Sequence, residues 1–118
     1  MANEEQDQAE RRRWARFTLD VPIKVRVRSS SGISSYCYGR GNDISQGGMS
    51  IHIPHELSIG QSINLILTLP YSDRNIECEA VVRSRSSYRY GVEYVKLSAM
   101  DEALIGRVCN ALGILQSE

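Results

Sequence analysis

The sequence predicts an all-β fold, a small antiparallel barrel, followed by one C-terminal α-helix. Three observations support this fold class. Apolar and polar residues alternate in a series of short runs, tight turns separate these runs, and the apolar period lengthens near the C-terminus. Evenly spaced strands followed by a single helix are typical of a small antiparallel barrel that the helix plugs or flanks.

The N-terminal half contains three of the alternating runs. Val21 to Arg28 places valine and isoleucine on one face and basic residues on the other, with Pro22 near its beginning. Ile33 to Arg40 is predicted to pair with it as a hairpin, because a serine- and glycine-rich turn separates the two runs. The third strand begins at Met49 and ends before Pro54.

Three further runs follow in the C-terminal half. Ile63 to Leu69 alternates up to Pro70, and Ile76 to Val82 alternates against acidic residues. Ser84 to Ser87 is predicted to turn the chain into the last run, which spans Tyr90 to Tyr94.

The final segment is predicted to be a helix. Ser98 and Asp101 have the form of a capping box, and acidic residues occupy the first turn. Apolar residues then recur every four positions, and Gly113 is predicted to end the helix. The recurring residues are Leu104, Val108 and Leu112.

Composition limits the class of protein. The 118 residues fit one domain, predicted over 11–115 after a flexible tail over 1–10, and 42% of them are hydrophobic. We find no apolar run of membrane-spanning length and no signal peptide, so we expect a cytoplasmic protein that does not bind membranes. Cys37, Cys78 and Cys109 are odd in number and far apart, as expected of reduced thiols.

The sequence does not predict an enzyme. The two histidines, His52 and His55, lie near no nucleophile signature, and no further metal ligands cluster around them. Neither a P-loop nor a dinucleotide fingerprint is present. We therefore predict no catalytic residues, no metal and no resident cofactor.

The highest concentration of charge is the run Arg11-Arg12-Arg13-Trp14-Ala15-Arg16. Neighbouring guanidinium groups repel one another unless an anion lies between them, so this run requires a counter-charge. Acidic residues of the tail could supply it, or a bound ligand could, and the sequence leaves both readings open. The tail acids are Glu4, Glu5, Asp7 and Glu10.

A second stretch, Asn42 to Gly48, offers complementary chemistry. The Asp43 carboxylate can accept hydrogen bonds from the paired N1 and N2 donors of a guanine, and Ser45 adds a hydroxyl. Gly47 and Gly48 let the backbone turn or approach a ligand closely. The same residues are also common in simple hairpin turns.

Together these two stretches resemble the PilZ domain, the bacterial receptor for cyclic di-GMP. Arg12 to Arg16 matches the pattern RxxxR, and Asp43 to Gly48 matches DxSxxG. The resemblance runs from about Arg11 to the closing helix, with no departure at the motif positions.

The resemblance implies a six-stranded antiparallel barrel with a C-terminal helix, and it implies roles for individual residues. Arg12 and Arg16 are expected to grip the phosphates and the Hoogsteen edge of a guanine. Asp43 and Ser45 are expected to hold a guanine at the barrel surface, and Gly48 is expected to keep the loop in shape.

Arg11 corresponds to the extra arginine of an extended RRxxxR form, which is associated with an intercalated dimer of the nucleotide. The implied function is that of a receptor, monomeric or weakly dimeric, whose N-terminal arm changes conformation on binding and signals to a protein partner.

Two other functions stay open at this point. One is a PilZ-like adaptor that contacts a protein partner, in pili or motility for example, without nucleotide. The other is a binder of RNA or single-stranded DNA with four tyrosines as stacking faces, namely Tyr36, Tyr38, Tyr88 and Tyr90. The net charge of zero favours the absence of nucleic acid among the partners.

Overall fold

A computed structural model describes residues 14–72 and 74–117 of the chain. Its elements are β1 (Phe17–Arg28), β2 (Ser34–Ile44), β3 (Gly48–His52), β4 (Ser62–Thr68), β5 (Asn75–Ser86), β6 (Arg89–Lys96) and α1 (Ala99–Leu115). All strand pairs are antiparallel, and the sheet closes in the order β1-β2-β3-β6-β5-β4. The predicted fold class, a six-stranded antiparallel barrel with one C-terminal helix, is confirmed.

The alternating runs place one face of each strand inside the barrel. Val25, Leu65 and Ile76 are completely buried there, while their sequence neighbours face outwards. Burying one such side chain contributes about 1.5–3 kcal/mol, so the interior supplies most of the driving force for folding.

The helix packs through the apolar residues that recur every four positions. Leu104, Val108 and Leu112 are all buried. The Ser98 hydroxyl accepts a hydrogen bond from the Asp101 amide at 3.0 Å, so the predicted cap is present. Within the described ranges, no helix is long and apolar enough to cross a membrane.

The predicted end of the helix at Gly113 is wrong, because α1 continues to Leu115. Gly113 instead allows close packing, since a Cβ atom there would lie 3.1 Å from Cε1 of Phe17. Just beyond the helix, the side-chain Nε2 of Gln116 donates to the Thr18 carbonyl at 2.7 Å, and its Oε1 accepts from the Thr18 backbone amide at 3.1 Å. These contacts join the end of α1 to the beginning of β1.

Several predicted strand ends also differ from the structure, and β1 begins at Phe17 instead of Val21. β2 continues past Arg40 to Ile44, so Asp43 lies in a strand and not in a turn. β5 continues to Ser86, and the turn predicted over Ser84 to Ser87 is shorter and lies at 87–88. Ser87 has a φ of 56°, which is the left-handed conformation that tight hairpins require.

Candidate functional site

The pairing of β1 with β2 brings the arginine run and the DxSxxG stretch together. Phe17 pairs with Ile44 and Thr18 pairs with Asp43, so Arg16, directly before β1, lies beside Asp43. The register of β2 shifts between Gly41 and Asp43 relative to both of its neighbours, β1 and β3. Such irregularities reorient side chains at the rims of barrels.

The Asp43 carboxylate is the centre of the candidate site. Its Oδ1 accepts a hydrogen bond from the Ser50 amide at 3.1 Å and lies 3.9 Å from Nη1 of Arg16. Its Oδ2 lies 3.7 Å from Nη2 of Arg89. Two guanidinium groups therefore share one carboxylate, and neither is within hydrogen-bonding distance of it.

The surrounding charges leave this site with an excess of positive charge. Next to Asp43, a row of side chains crosses three strands. His52 on β3 lies opposite Arg40 on β2 and opposite Arg89 on β6. Arg40 is neutralised by Asp20, whose Oδ1 lies 2.8 Å from Nε of Arg40, and this contact lowers the pKa of Asp20. Arg16 and Arg89 have only the Asp43 carboxylate between them within the described chain, so an additional anion is favoured here.

Arg89 belongs to neither motif, and the sequence alone does not place it at the site. The alternation in β6 does indicate that Arg89 faces outwards, because Tyr90 faces inwards. What the sequence does not indicate is that β6 pairs with β3, with Arg89 opposite His52. The order of strands in the barrel is therefore needed to place Arg89 beside Asp43.

The Ser45 side chain is engaged within the DxSxxG stretch. Its Oγ accepts hydrogen bonds from the amides of Gly47 and Gly48 at 3.2 and 3.1 Å, and it donates to the Gly48 carbonyl at 3.3 Å. The residue is buried. The hydroxyl thus shapes the turn between β2 and β3, and its predicted contact with a guanine stays a prediction.

Gly48 is required by the barrel itself. A Cβ atom at this position would lie 2.1 Å from the carbonyl oxygen of Val92 in β6, far inside van der Waals contact. A Cβ atom at Gly47 would lie 2.7 Å from Cδ1 of Trp14. The Trp14 ring therefore lies against this turn, which makes it a packing residue here.

Tyr94 stabilises the turn between β2 and β3 through two hydrogen bonds. Its amide donates to the Gly47 carbonyl at 3.1 Å, and its hydroxyl donates to the Gly48 carbonyl at 3.2 Å. Burial, with smaller contributions from nearby acidic groups, raises the pKa of Tyr94 well above its usual value, so the hydroxyl remains a donor. Hydrogen bonds from Ser45 within the turn and from Tyr94 in β6 thereby hold the loop beside Asp43.

The predicted site residues divide into three groups. Arg16 and Asp43 are brought together, and Ser45 and Gly48 build the adjacent turn. Arg11 and Arg12 lie outside the described residues, as does the tail predicted over 1–10.

The predicted stacking tyrosines do not form one surface. The prediction for Tyr90 is wrong, because the residue is completely buried and its hydroxyl donates to the His55 carbonyl at 2.7 Å. Tyr36 and Tyr38 are exposed on β2. Tyr88 lies in the turn between β5 and β6.

A closed six-stranded barrel with an arginine-flanked DxSxxG turn is the architecture of a PilZ domain. The family model for the PilZ domain matches residues 10–111, and the chain belongs to this family. A comparison with curated proteins finds no significant match.

Several solved structures share the fold. MotI/DgrA, the inhibitor of motility from Bacillus subtilis, is 22% identical with a TM-score of 0.74, and the alignment covers 90% of this chain and 53% of that one. The chain thus spans about half the length of MotI.

Two isolated PilZ domains are also similar. The PilZ domain of YcgR from Escherichia coli, solved with c-di-GMP, is 18% identical with a TM-score of 0.64 over 89% of this chain and 93% of that one. The PilZ domain of CeSA from a cellulose-synthesising bacterium is 18% identical with a TM-score of 0.61, over 82% and 97% of the two chains.

Proposed function

We propose that this protein binds cyclic di-GMP at the surface around Asp43. The observation that carries the proposal is the sharing of one carboxylate by two guanidinium groups, those of Arg16 and Arg89, at 3.9 and 3.7 Å. Membership of the PilZ family and the similarity to a YcgR domain that binds this nucleotide support the choice of ligand.

The chemistry of the site suits this ligand. Cyclic di-GMP carries two phosphate charges and two guanines. The Asp43 carboxylate can accept from the N1 and N2 donors of one guanine, while guanidinium groups donate to phosphate oxygens or to the Hoogsteen edge of guanine. We assign the latter role to Arg12 and Arg16, with Arg89 as an additional guanidinium on the other side of Asp43.

The turn that follows Asp43 positions this carboxylate. Ser45 and Gly48 hold the backbone of the turn, and the Ser50 amide fixes one oxygen of Asp43. A pre-arranged acceptor loses little conformational entropy on binding, which favours affinity. In the proposed mechanism Ser45 acts mainly through the shape of this turn.

Binding is expected to reorder the N-terminal arm, residues 1 to about 20, and so to signal to a partner. Arg16 directly precedes Phe17 and Thr18, which contact Gly113 and Gln116 at the end of α1. A ligand that draws Arg16 towards itself would therefore act on a segment already joined to the helix. In this mechanism the arm changes conformation while the barrel stays fixed.

Calorimetric titration with cyclic di-GMP tests the proposal. We expect saturable binding at micromolar ligand and much weaker binding of GTP, which lacks the second guanine. A stoichiometry of two nucleotides per chain would support the role of Arg11 in binding an intercalated dimer. The absence of saturable heat would contradict the proposed function.

The same titration can be followed by fluorescence, because Trp14 is the only tryptophan in the chain and lies against Gly47. We expect its emission to change with the same midpoint as the heat. Binding without any change at Trp14 would contradict the movement of the arm while leaving ligand binding intact.

A further inference from the structure

The outer face of the β1–β2 hairpin is basic and aromatic. Lys24, Arg26 and Arg28 alternate along β1, opposite Tyr38, Tyr36 and Ser34 of β2 respectively. We refer to the three cations and the two tyrosines as the β1–β2 basic face. It lies on the same two strands as Asp43 but extends away from it, towards the 29–33 turn.

This face has no acidic counterpart in the described part of the chain. No carboxylate there lies within 4.0 Å of Lys24, Arg26 or Arg28. On the far side of β1, the strand partners are Asn64 and Ile66, which are uncharged. By contrast, most described arginines have a carboxylate within this distance, namely Arg16, Arg40, Arg74, Arg83, Arg85 and Arg89.

The aromatic part of the face is exposed. Tyr38 is 67% accessible and Tyr36 is 51% accessible, and Ile33 at the tip of the hairpin is 69% accessible. Tyrosine and arginine are the residue types enriched at the energetic centres of protein–protein interfaces. An accessible cluster of this composition is typical of a binding surface.

We propose that the β1–β2 basic face binds an extended acidic segment of a protein partner. Cations two residues apart on a strand lie about 7 Å apart, which is also the spacing of alternate side chains in an extended peptide. Glutamates or aspartates at alternate positions would therefore face Lys24, Arg26 and Arg28 in turn. The tyrosine hydroxyls add donors for the same carboxylates.

The side chains of the face, rather than the edge of the sheet, are proposed to hold the segment. Although the barrel is closed, β2 pairs with β3 only from Arg40 onwards, so the paired strands do not cover the outer edge of β2 over 34–39. The cations lie on β1, and the matching of charges with them determines specificity and the rate of association.

Two observations favour an acidic protein over a nucleic acid. The formal net charge of the chain is zero, whereas domains that bind the phosphate backbone of nucleic acids are typically strongly basic. In addition, Nζ of Lys24 lies 4.9 Å from the centre of the Tyr36 ring, so this cation covers one face on which a base would stack.

The test uses the full chain and three labelled probes, with binding measured by fluorescence anisotropy. The first is a 12-residue peptide of alternating glutamate and threonine, the second replaces glutamate with lysine, and the third is a 12-nucleotide oligo-dT. We expect the acidic peptide alone to bind, with an affinity that falls as salt is raised.

The double variant Lys24→Glu/Arg26→Glu is expected to weaken acidic-peptide binding at least tenfold, and Tyr36→Ala/Tyr38→Ala several-fold. The control Lys96→Glu/Arg107→Glu changes the charge by the same amount at exposed positions elsewhere and is expected to stay within twofold of wild type. Circular dichroism verifies folding, and Lys24→Gln/Arg26→Gln replaces the first variant if that one does not fold.

Three results would overturn the proposal. One is equal binding of the acidic peptide by the wild type and the face variants. Another is preferential binding of oligo-dT, which would make the face a nucleic-acid surface. The third is binding of none of the probes. Because none of these measurements involves cyclic di-GMP, the proposal succeeds or fails independently of the nucleotide site.

Discussion

Asp43 and Asp101 are both partly or fully buried aspartates beside arginine, yet their surroundings differ. Asp101 accepts one hydrogen bond from Nη2 of Arg74 at 2.7 Å, in the capped first turn of α1. Asp43 has two guanidinium groups near it, and both lie beyond hydrogen-bonding distance. Asp101 is satisfied by its own structure, whereas Asp43 is left with acceptor capacity and surplus positive charge around it.

We interpret this difference as that between a structural ion pair and the proposed binding site. A charge-assisted hydrogen bond that is already formed stabilises the fold. Under the proposed function, a carboxylate held by the Ser50 amide and flanked by two arginines is instead expected to bind a ligand that supplies both donors and negative charge. The variants below test whether the effects on stability and on ligand affinity divide in this way.

The largest effect is expected from Arg16→Ala and Asp43→Ala, each weakening cyclic di-GMP binding roughly 10- to 100-fold. Each variant removes one or more charge-assisted hydrogen bonds, worth about 1.5–3 kcal/mol each. Calorimetry measures the affinity and thermal unfolding the stability. Wild-type affinity in both variants would contradict the binding roles assigned to Arg16 and Asp43.

Gly48→Ala is expected to lower the free energy of unfolding by roughly 1–3 kcal/mol, because its Cβ would clash with the Val92 carbonyl oxygen. Ligand affinity should fall as well, since the turn beside Asp43 must move. The control is Gly106→Ala, where a Cβ meets nothing within 4 Å and stability should not decrease. Equal stability of the two variants would contradict this account of Gly48.

Asp101→Ala is expected to lower the free energy of unfolding by about 1–2 kcal/mol while leaving nucleotide affinity unchanged, because it removes a partly buried ion pair at the start of α1. Glu102→Ala, in the same first turn but exposed, is the control and should have a smaller effect. A loss of affinity in Asp101→Ala would show that the two aspartates do not differ as described.

The smallest effect on affinity is expected from Arg89→Ala, a weakening of roughly threefold to tenfold. Its side chain is 58% accessible, and solvent screens the interactions of such a group. Arg74→Ala is the matched control, since it removes an arginine beside the other aspartate and should leave affinity unchanged. Tighter binding by Arg89→Ala would mean that Arg89 competes with the ligand for Asp43.

Local patterns in the sequence predict most of the fold, because strand alternation and helix capping depend on neighbouring residues. The end of α1 could not be predicted in this way. Gly113 has the local features of a helix stop, but packing against Phe17 overrides them. The strand position of Asp43 could not be predicted locally either. The residue lies in β2 because β1 and β3 pair with β2 beyond Arg40.

Only the site residues that belong to the two sequence motifs could be predicted. Arg16 and Asp43 follow from the two motifs, and the structure places them side by side. Arg89 has no motif and depends on the pairing of β6 with β3, which no local pattern in the sequence reveals. The buried hydroxyl of Ser45 likewise depends on the closed turn around it.

The most direct test of the central claim is an amide NMR titration of the full chain with cyclic di-GMP. We predict that chemical shift changes cluster at Arg16, at 43–48 and at Arg89, while Arg74 and Asp101 remain unperturbed. Saturable changes centred on Arg74 and Asp101, or no changes at Asp43 at saturating ligand, would contradict the claim that Asp43 is the centre of the nucleotide site.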